Sequence, residues 1–157
     1  MPKQDFNINT KAAAAGDVYG LAFTNSQRLT YITEDSQTAY GLAVQQGAKA
    51  NTIKVGSVDG EVLGITMRQN IVESAKRPGD GTLVLVPGTP LAVMLDGPIN
   101  VKLNTAITDG NIGINAKGEF GGVADGYTQA TNIKALEYPA AAGDVIAVMV
   151  VMQGPKA

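Results

Sequence analysis

The clearest pattern along the chain is an alternation of apolar and polar residues within residues 91–123. From Ile99 to Leu103 every second residue is apolar, and the residues between are polar. A period of two places one set of side chains on a buried face and the other towards water, so it predicts a β-strand. Asp-Gly pairs stand before this run at 96–97 and after it at 109–110. Because Asp-Gly tolerates positive φ, we interpret both as reversals, with Asp96-Gly97-Pro98 at a hairpin tip.

Shorter runs with the same alternation predict further strands on both sides. Residues 38–47 are rich in Ala, Leu and Gln, which suit a helix. Gly41 would cost that helix about 1 kcal/mol, and the apolar residues alternate, so we predict a strand. Residues 69–82 form the longest stretch without a strand pattern, and Asn70 could cap a short helical turn there. Residues 124–132 are small and polar and predict an exposed loop. The other predicted strands cover residues 18–23, 29–33, 52–55 and 62–68, and the continuous apolar runs at 83–86 and 145–152 predict buried strands.

The glycine content indicates the fold class. Nineteen glycines and five Asp-Gly pairs are typical of many short strands joined by tight turns. A chain of 157 residues suits one domain. We therefore predict an all-β fold, a compact sandwich or barrel-like module of short antiparallel strands with little helix. A division into two small β-lobes, with a break near residues 69–82, remains open.

The N-terminal segment differs from the rest of the chain. Residues 1–11 are polar, with Phe6 and Ile8 embedded among them. One interpretation is a disordered terminus. The other is an arm that orders on a partner, with Phe6 and Ile8 as its anchors. We delimit an arm at residues 1–15 and a β-rich domain at residues 16–157.

One short sequence occurs twice. Residues 13–18 read Ala-Ala-Ala-Gly-Asp-Val, and residues 140–145 read the same. Convergent turn chemistry explains the repeat, because Gly and Asp both favour turns before strands. A second interpretation is that the two following strands occupy matching places, side by side on one sheet. We prefer the first.

The composition argues against catalysis. The chain has no histidine, cysteine or tryptophan. Without Cys there are no disulfides, thiolate ligands or thiol nucleophiles, and without His the commonest general base and metal ligand are missing. Ser74 and Lys76 lie two residues apart and would not face each other as a dyad. A phosphate-binding loop needs a Gly-Lys pair, which does not occur. We assign no catalytic, cofactor-binding or metal-binding residue and predict that the protein is not an enzyme.

Charge and hydropathy exclude two classes of partner. The net charge is −2, and the twelve Lys and Arg residues are scattered, with only Lys76 and Arg77 adjacent. Nucleic-acid-binding proteins present a clustered basic face, so we expect no nucleic-acid partner. The longest apolar run, residues 145–152, is far shorter than the ~20 residues that span a bilayer. Residues 1–11 lack an apolar core of signal-peptide length. We expect a soluble, unexported protein without a membrane partner.

Taken in order, these segments resemble a known family. The order is GDVYGLAF at 16–23, YGLAVQQG at 40–47, VLGIT at 62–66, LAVMLDGPINV at 91–101, TDGN at 108–111 and AAGDVIAV at 141–148. It is similar to that of the small capsid cement, or head decoration, proteins of tailed bacteriophages, over most of residues 16–151. The sequence differs from the family pattern in two places. The hairpin tip contains Asp96-Gly97-Pro98, and Asp109-Gly110-Asn111-Ile112 stands where the family usually has Gly-Asp before a strand.

The resemblance implies a structural virion protein without catalysis. Such a protein would be made in the host cytoplasm and would sit on the outer capsid surface at symmetry axes, commonly as a trimer, bridging copies of the major capsid protein. Candidate capsid contacts are Phe6 and Ile8 in the arm. Lys76 and Arg77 in the loop could meet an acidic capsid surface.

Two other functions fit the same β-rich pattern. One is another phage structural component, such as a tail tube or fibre-base domain. The other is a small β-barrel that binds carbohydrate or hydrolyses a substrate. The lack of Trp, His and Cys disfavours this last class, because sugar binding favours stacking aromatics.

Overall fold

The computed structural model describes residues 13–19, 26–69, 85–124 and 126–152, and within them the chain is built from strands without a helix. The all-β prediction is therefore confirmed. The strands are β1 (Gln27–Thr33), β2 (Ala43–Gln46), β3 (Thr52–Val55), β4 (Gly64–Thr66), β5 (Pro90–Lys102), β6 (Gly113–Ile114), β7 (Phe120–Gly121), β8 (Thr128–Gln129), β9 (Ile133–Ala135) and β10 (Val145–Val150).

Five strands close into a barrel. Their order is β1-β3-β2-β4-β5, and β1 pairs with β5 to complete the ring. Every pairing in the ring is antiparallel except β1 with β3, which is parallel. The parallel pair is a departure from the antiparallel pairing that we predict, and it arises because β2 turns back as β3, which then lies beside β1 and runs in its direction. Tyr40, Val44, Ile53, Leu85, Leu91, Val93 and Leu95 form the buried cluster inside the ring.

Strand β5 belongs to two sheets at once. Its first half pairs with β1 and β4 in the barrel, and its second half pairs with β10, which in turn pairs with β9. Ile99 and Val101 of the second half, with Ile146 and Val148 of β10, belong to a larger cluster between the barrel wall and the remaining strands. A small sheet in the order β7-β6-β8 covers this cluster and adds the fully buried Phe120.

The predicted hairpin tip at Asp96-Gly97-Pro98 is wrong, because these residues lie inside the continuous strand β5. Gly97 has φ +135°, and the register with β1 shifts where Gln27 faces Asp96 and Arg28 faces Met94. Asp-Gly therefore supports a β-bulge here instead of a turn. Before Gly97 the odd-numbered residues face the barrel interior, and after it they face the larger cluster. The bulge therefore lets one strand contribute side chains to the barrel interior and to the larger cluster.

Two further expectations need correction. The strand predicted at residues 38–47 begins only at Ala43. Gly41 has φ +73°, and a Cβ there would lie 2.8 Å from the backbone nitrogen of Gly16, so the preceding residues form a tight bend. The loop predicted at residues 124–132 is in part ordered into β8, and it contributes the buried residues Ala130 and Asn132. The predicted strands at 18–23 and 83–86 extend beyond the described residues, and so does the helical turn at Asn70.

The repeated sequence forms the same turn twice. In each copy the glycine has φ near +90°, with +87° at Gly16 and +91° at Gly143. The Asp17 N–H donates to Ala14 O at 3.0 Å, and the Asp17 carboxylate accepts from Ala14 N at 2.9 Å. Asp144 makes the same two hydrogen bonds with Ala141, at 3.2 and 2.9 Å. Shared turn chemistry is therefore present in both copies.

The two turns also lie on opposite edges of β5. Gly16 N donates to Asn100 O at 2.8 Å, and Gly143 N donates to Leu103 O at 2.7 Å. The two segments are thus in one sheet, but with β5 between them and not side by side. The first segment explains why Asn100, expected to face water, is buried: its amide donates to Asp17 O at 3.0 Å.

Glu34 joins the end of β1 to the β2–β3 turn. Its carboxylate accepts from the Thr52 hydroxyl at 2.6 Å and from the backbone N–H groups of Ala48 and Lys49 at 3.0 and 3.2 Å. The Lys54 ammonium lies 3.5 Å away. These interactions, the Thr52 hydrogen bond most of all, lower the pKa of Glu34 from 4.5 to about 2.

We expect Glu34 to make stability depend on acidity. Because its pKa is lower in the folded state, its contribution is complete above pH 4.5 and is lost as the pH falls towards about 2. Urea unfolding of the wild type and of Glu34→Gln should therefore differ most above pH 5 and converge in acid. A difference that stays constant across this range would contradict the assignment.

Candidate interaction surface

The residues predicted to contact a partner lie outside the described part of the chain. Phe6 and Ile8 fall within residues 1–12, and Lys76 and Arg77 fall within residues 70–84. The structure neither brings them together nor separates them, so they stay predictions.

The described residues offer little to a catalytic or metal site. They contain no group of three or more acidic side chains placed to hold a metal ion. They also contain no helix long and apolar enough to cross a membrane. The strongest remaining features are exposed apolar side chains, which in soluble proteins often mark contact surfaces.

Several of these side chains meet where β10 ends. Val58, Val151 and Met152 are exposed by 57%, 51% and 49%. They lie along two adjacent grooves that share Met152, with Met149 in one groove and Leu63 in the other. We call the patch formed by Val58, Leu63, Met149, Val151 and Met152 the Met152 surface. Its apolar side chains come from the β3–β4 connection and from the C-terminal end of β10.

A buried asparagine holds this surface in place. Asn132 accepts from Val62 N at 3.1 Å, and its amide donates to Val62 O at 2.9 Å and to Val151 O at 3.1 Å. The Val151 N–H in turn donates to Asn132 O at 3.0 Å. The Asn132 side chain therefore links the β3–β4 connection to the end of β10. It also provides hydrogen-bond partners for buried backbone groups of both segments.

The β3–β4 side of the surface rests on a tight hairpin. Val58 and Glu61 exchange two backbone hydrogen bonds of 2.9 Å, and Asp59 and Gly60 between them have φ of 51° and 82°. Positive φ at both central residues is typical of a type I′ turn and suits Asp-Gly. Gly60 also packs directly on β8, because a Cβ there would overlap Gln129 O. The hairpin that carries Val58 is thus fixed against the small sheet.

The charges around the surface differ between its two sides. Lys134 lines the groove that contains Met149, and Glu61 lines the groove that contains Leu63. Asp96 lies at the end of β10, where its carboxylate accepts from Met152 N at 3.2 Å. An apolar centre with charged residues at its margin has the composition of a protein-protein contact.

Sequence reasoning did not find this surface. Its apolar residues are single side chains at strand ends and turns, and Asn132 lies in a stretch that reads as an exposed loop. The available signal was weak: Val151 and Met152 continue the apolar run of β10 beyond the point where the strand ends.

One family of proteins matches the sequence. The family model of the phage structural cement proteins, which include E217 gp24 and Pam3 gp6, matches residues 1–151. The chain belongs to this family. It is therefore a phage structural protein, and the resemblance recognised from the strand order is confirmed. No curated protein sequence matches the cement protein.

A solved structure supports the fold of the cement protein. The base of the head fibre gp8.5 of bacteriophage phi29 superposes with a TM-score of 0.50. The two sequences are 14% identical, and the match covers 84% of this chain and 99% of the phi29 chain. At this identity the likeness concerns the arrangement of strands alone.

We expect Asn132→Ala to destabilise the cement protein strongly. The substitution leaves a backbone N–H and two carbonyl groups without their partner, so the free energy of unfolding should fall by about 3 kcal/mol. Urea denaturation measures this. Asn104→Ala is the control, because that side chain is exposed and its loss should cost less than about 0.5 kcal/mol. Equal effects of the two substitutions would refute the role given to Asn132.

Proposed function

We propose that this cement protein binds the outer surface of a phage capsid and stabilises the shell by bridging neighbouring copies of the major capsid protein. The observation that carries the proposal is the family match over residues 1–151. The closed barrel and the shared strand β5 support it, because they give a rigid body that can hold two neighbours at a fixed distance.

We assign the Met152 surface as one capsid contact. Val58, Val151 and Met152 are each about half exposed, so each has apolar area left to bury on binding. Full burial of such a side chain contributes about 1.5–3 kcal/mol, and burial of the exposed half contributes about 1 kcal/mol. Contacts of this strength are modest singly, and they add up through multivalency when many copies bind one shell.

The remaining parts of the proposal concern the arm, the loop and assembly. The N-terminal arm, residues 1–15, contacts the capsid through Phe6 and Ile8, and the part of the arm that precedes the turn at Ala14–Asp17 becomes ordered on binding. Lys76 and Arg77 meet an acidic patch on the shell. The protein acts as a homo-oligomer, with a trimer at a capsid symmetry axis as the favoured arrangement, and it catalyses no reaction.

A pair of matched substitutions tests the Met152 surface. Val151 and Val123 are both 51% exposed, and Val123 lies outside the surface. Val151→Asp should weaken binding to capsids that lack the cement protein by about tenfold or more, because a carboxylate would have to leave water at an apolar contact. Val123→Asp should bind like the wild type. Sedimentation of capsids with bound protein measures the occupancy.

The same experiment tests the function itself. Wild-type protein should bind these capsids and raise the temperature at which they disrupt. Failure of the wild type to bind would overturn the proposed function. Normal binding by Val151→Asp would overturn only the assignment of the Met152 surface.

Deletion of residues 1–11 tests the arm. The truncated protein should unfold at the wild-type temperature and yet occupy fewer sites on capsids, because Phe6 and Ile8 are lost. Thermal unfolding and capsid sedimentation report the two properties separately. Unchanged occupancy would remove the arm from the proposal.

A further inference from the structure

The two copies of the repeated turn differ in what covers them. In the first copy Gly16 is buried, and Ala15 and Asp17 are partly buried. In the second copy all residues from 141 to 144 are exposed, and a Cβ added to Gly143 would meet nothing within 4 Å. The same sequence in the same conformation thus occurs once covered by protein and once open to solvent.

The cover of the first turn shows what this turn can bind. The Arg68 N–H donates to Gly16 O at 3.0 Å, and the Arg68 guanidinium lies 3.9 Å from the Asp17 carboxylate. The backbone of Gly41 packs so closely that a Cβ there would lie 2.9 Å from the Ala15 Cβ. The first turn therefore binds the backbone and the guanidinium of Arg68, in the segment that follows β4, and Gly41 from a separate segment packs on its alanine.

The second turn presents the equivalent groups on the surface. Gly143 O corresponds to the acceptor for Arg68 N, the Asp144 carboxylate to the partner of the guanidinium, and Ala142 to the packed alanine. The same connection also exposes two large apolar side chains, with Leu136 exposed by 45% and Tyr138 by 54%. The connection between β9 and β10 therefore exposes both the open turn, with the acidic Asp144, and two large apolar side chains.

We propose that this second turn, residues 141–144, is a docking site for an extended, arginine-containing segment of the major capsid protein. The identity of the partner rests on the proposed function. The bound segment donates a backbone N–H to Gly143 O and places its guanidinium at Asp144, and a small residue of the capsid protein packs on Ala142. A charged pair at such a contact also fixes the register of the bound segment.

The position of this turn suits a bridge. Residues 141–144 precede β10, and Val151 and Met152 of the Met152 surface follow it. The extended chain from Asp144 to Met152 spans roughly 25 Å. The cement protein thereby presents one contact at each end of the same strand, and a protein with this arrangement can hold two capsid subunits.

Substitutions in the exposed turn test the proposal. Ala142→Glu places a bulky negative group where the segment would pack, and we expect it to lower capsid occupancy about tenfold or more. Asp144→Asn can keep the carbonyl acceptor for Ala141 N and removes the charge, so a smaller loss, about threefold to tenfold, is expected. Ala50→Glu is the control at another exposed alanine. Thermal unfolding checks that each variant folds.

A cross-link identifies the bound segment. The chain has no cysteine, so Ala142→Cys carries a unique thiol for a benzophenone-maleimide label. Illumination of the labelled protein on capsids should join it to a major capsid protein peptide that contains arginine. Normal capsid binding by Ala142→Glu, or a cross-link only to another copy of this chain or to a peptide without arginine, would overturn the site while leaving the function intact. Failure of the wild type to bind capsids would overturn both.

Discussion

The structure depends on one strand that forms hydrogen bonds in two sheets. Strand β5 closes the barrel with its first half and carries β10 with its second half. The turn at residues 13–19 occupies the other edge of that second half. Removal of β5 would open the ring, separate β10 from the barrel and remove the hydrogen bonds that hold both copies of the repeated turn to β5. The bulge at Gly97 makes this sharing possible, because it changes which cluster the odd-numbered side chains enter.

Two polar side chains with several partners fix connections between the other strands. Glu34 collects donors from the β2–β3 turn and from β3, and Asn132 joins the β3–β4 connection to the end of β10. Both act on backbone groups whose hydrogen bonds would otherwise depend on water. Their effect is to hold loops and strand ends at fixed positions. For the proposed capsid contacts this is favourable, since binding then orders fewer groups.

The sequence predicted the parts of the fold that local patterns encode. Alternation located β1 and β3, a continuous apolar run located β10, and the order of the segments was enough to indicate the cement family. Asp-Gly was ambiguous, since its positive φ serves a hairpin at Asp59-Gly60 and a bulge at Asp96-Gly97. Asn132 could not be recognised, because its partner Val62 is 70 residues away. The Met152 surface was missed for the same reason: its residues come together only when the barrel and β10 are in place.

The direction of β10 has a mechanical consequence. The hydrogen bonds that join it to β5 and β9 are antiparallel and so lie across the strand. A pull applied to residues 141–144 at one end and to Met152 at the other would act along the backbone of β10. Such a load shears the ladder as a whole, whereas a pull across the strand would peel its bonds apart in succession. In the cement protein, β10 therefore connects the turn at residues 141–144 to Met152 in the orientation that best resists a pull on its two ends.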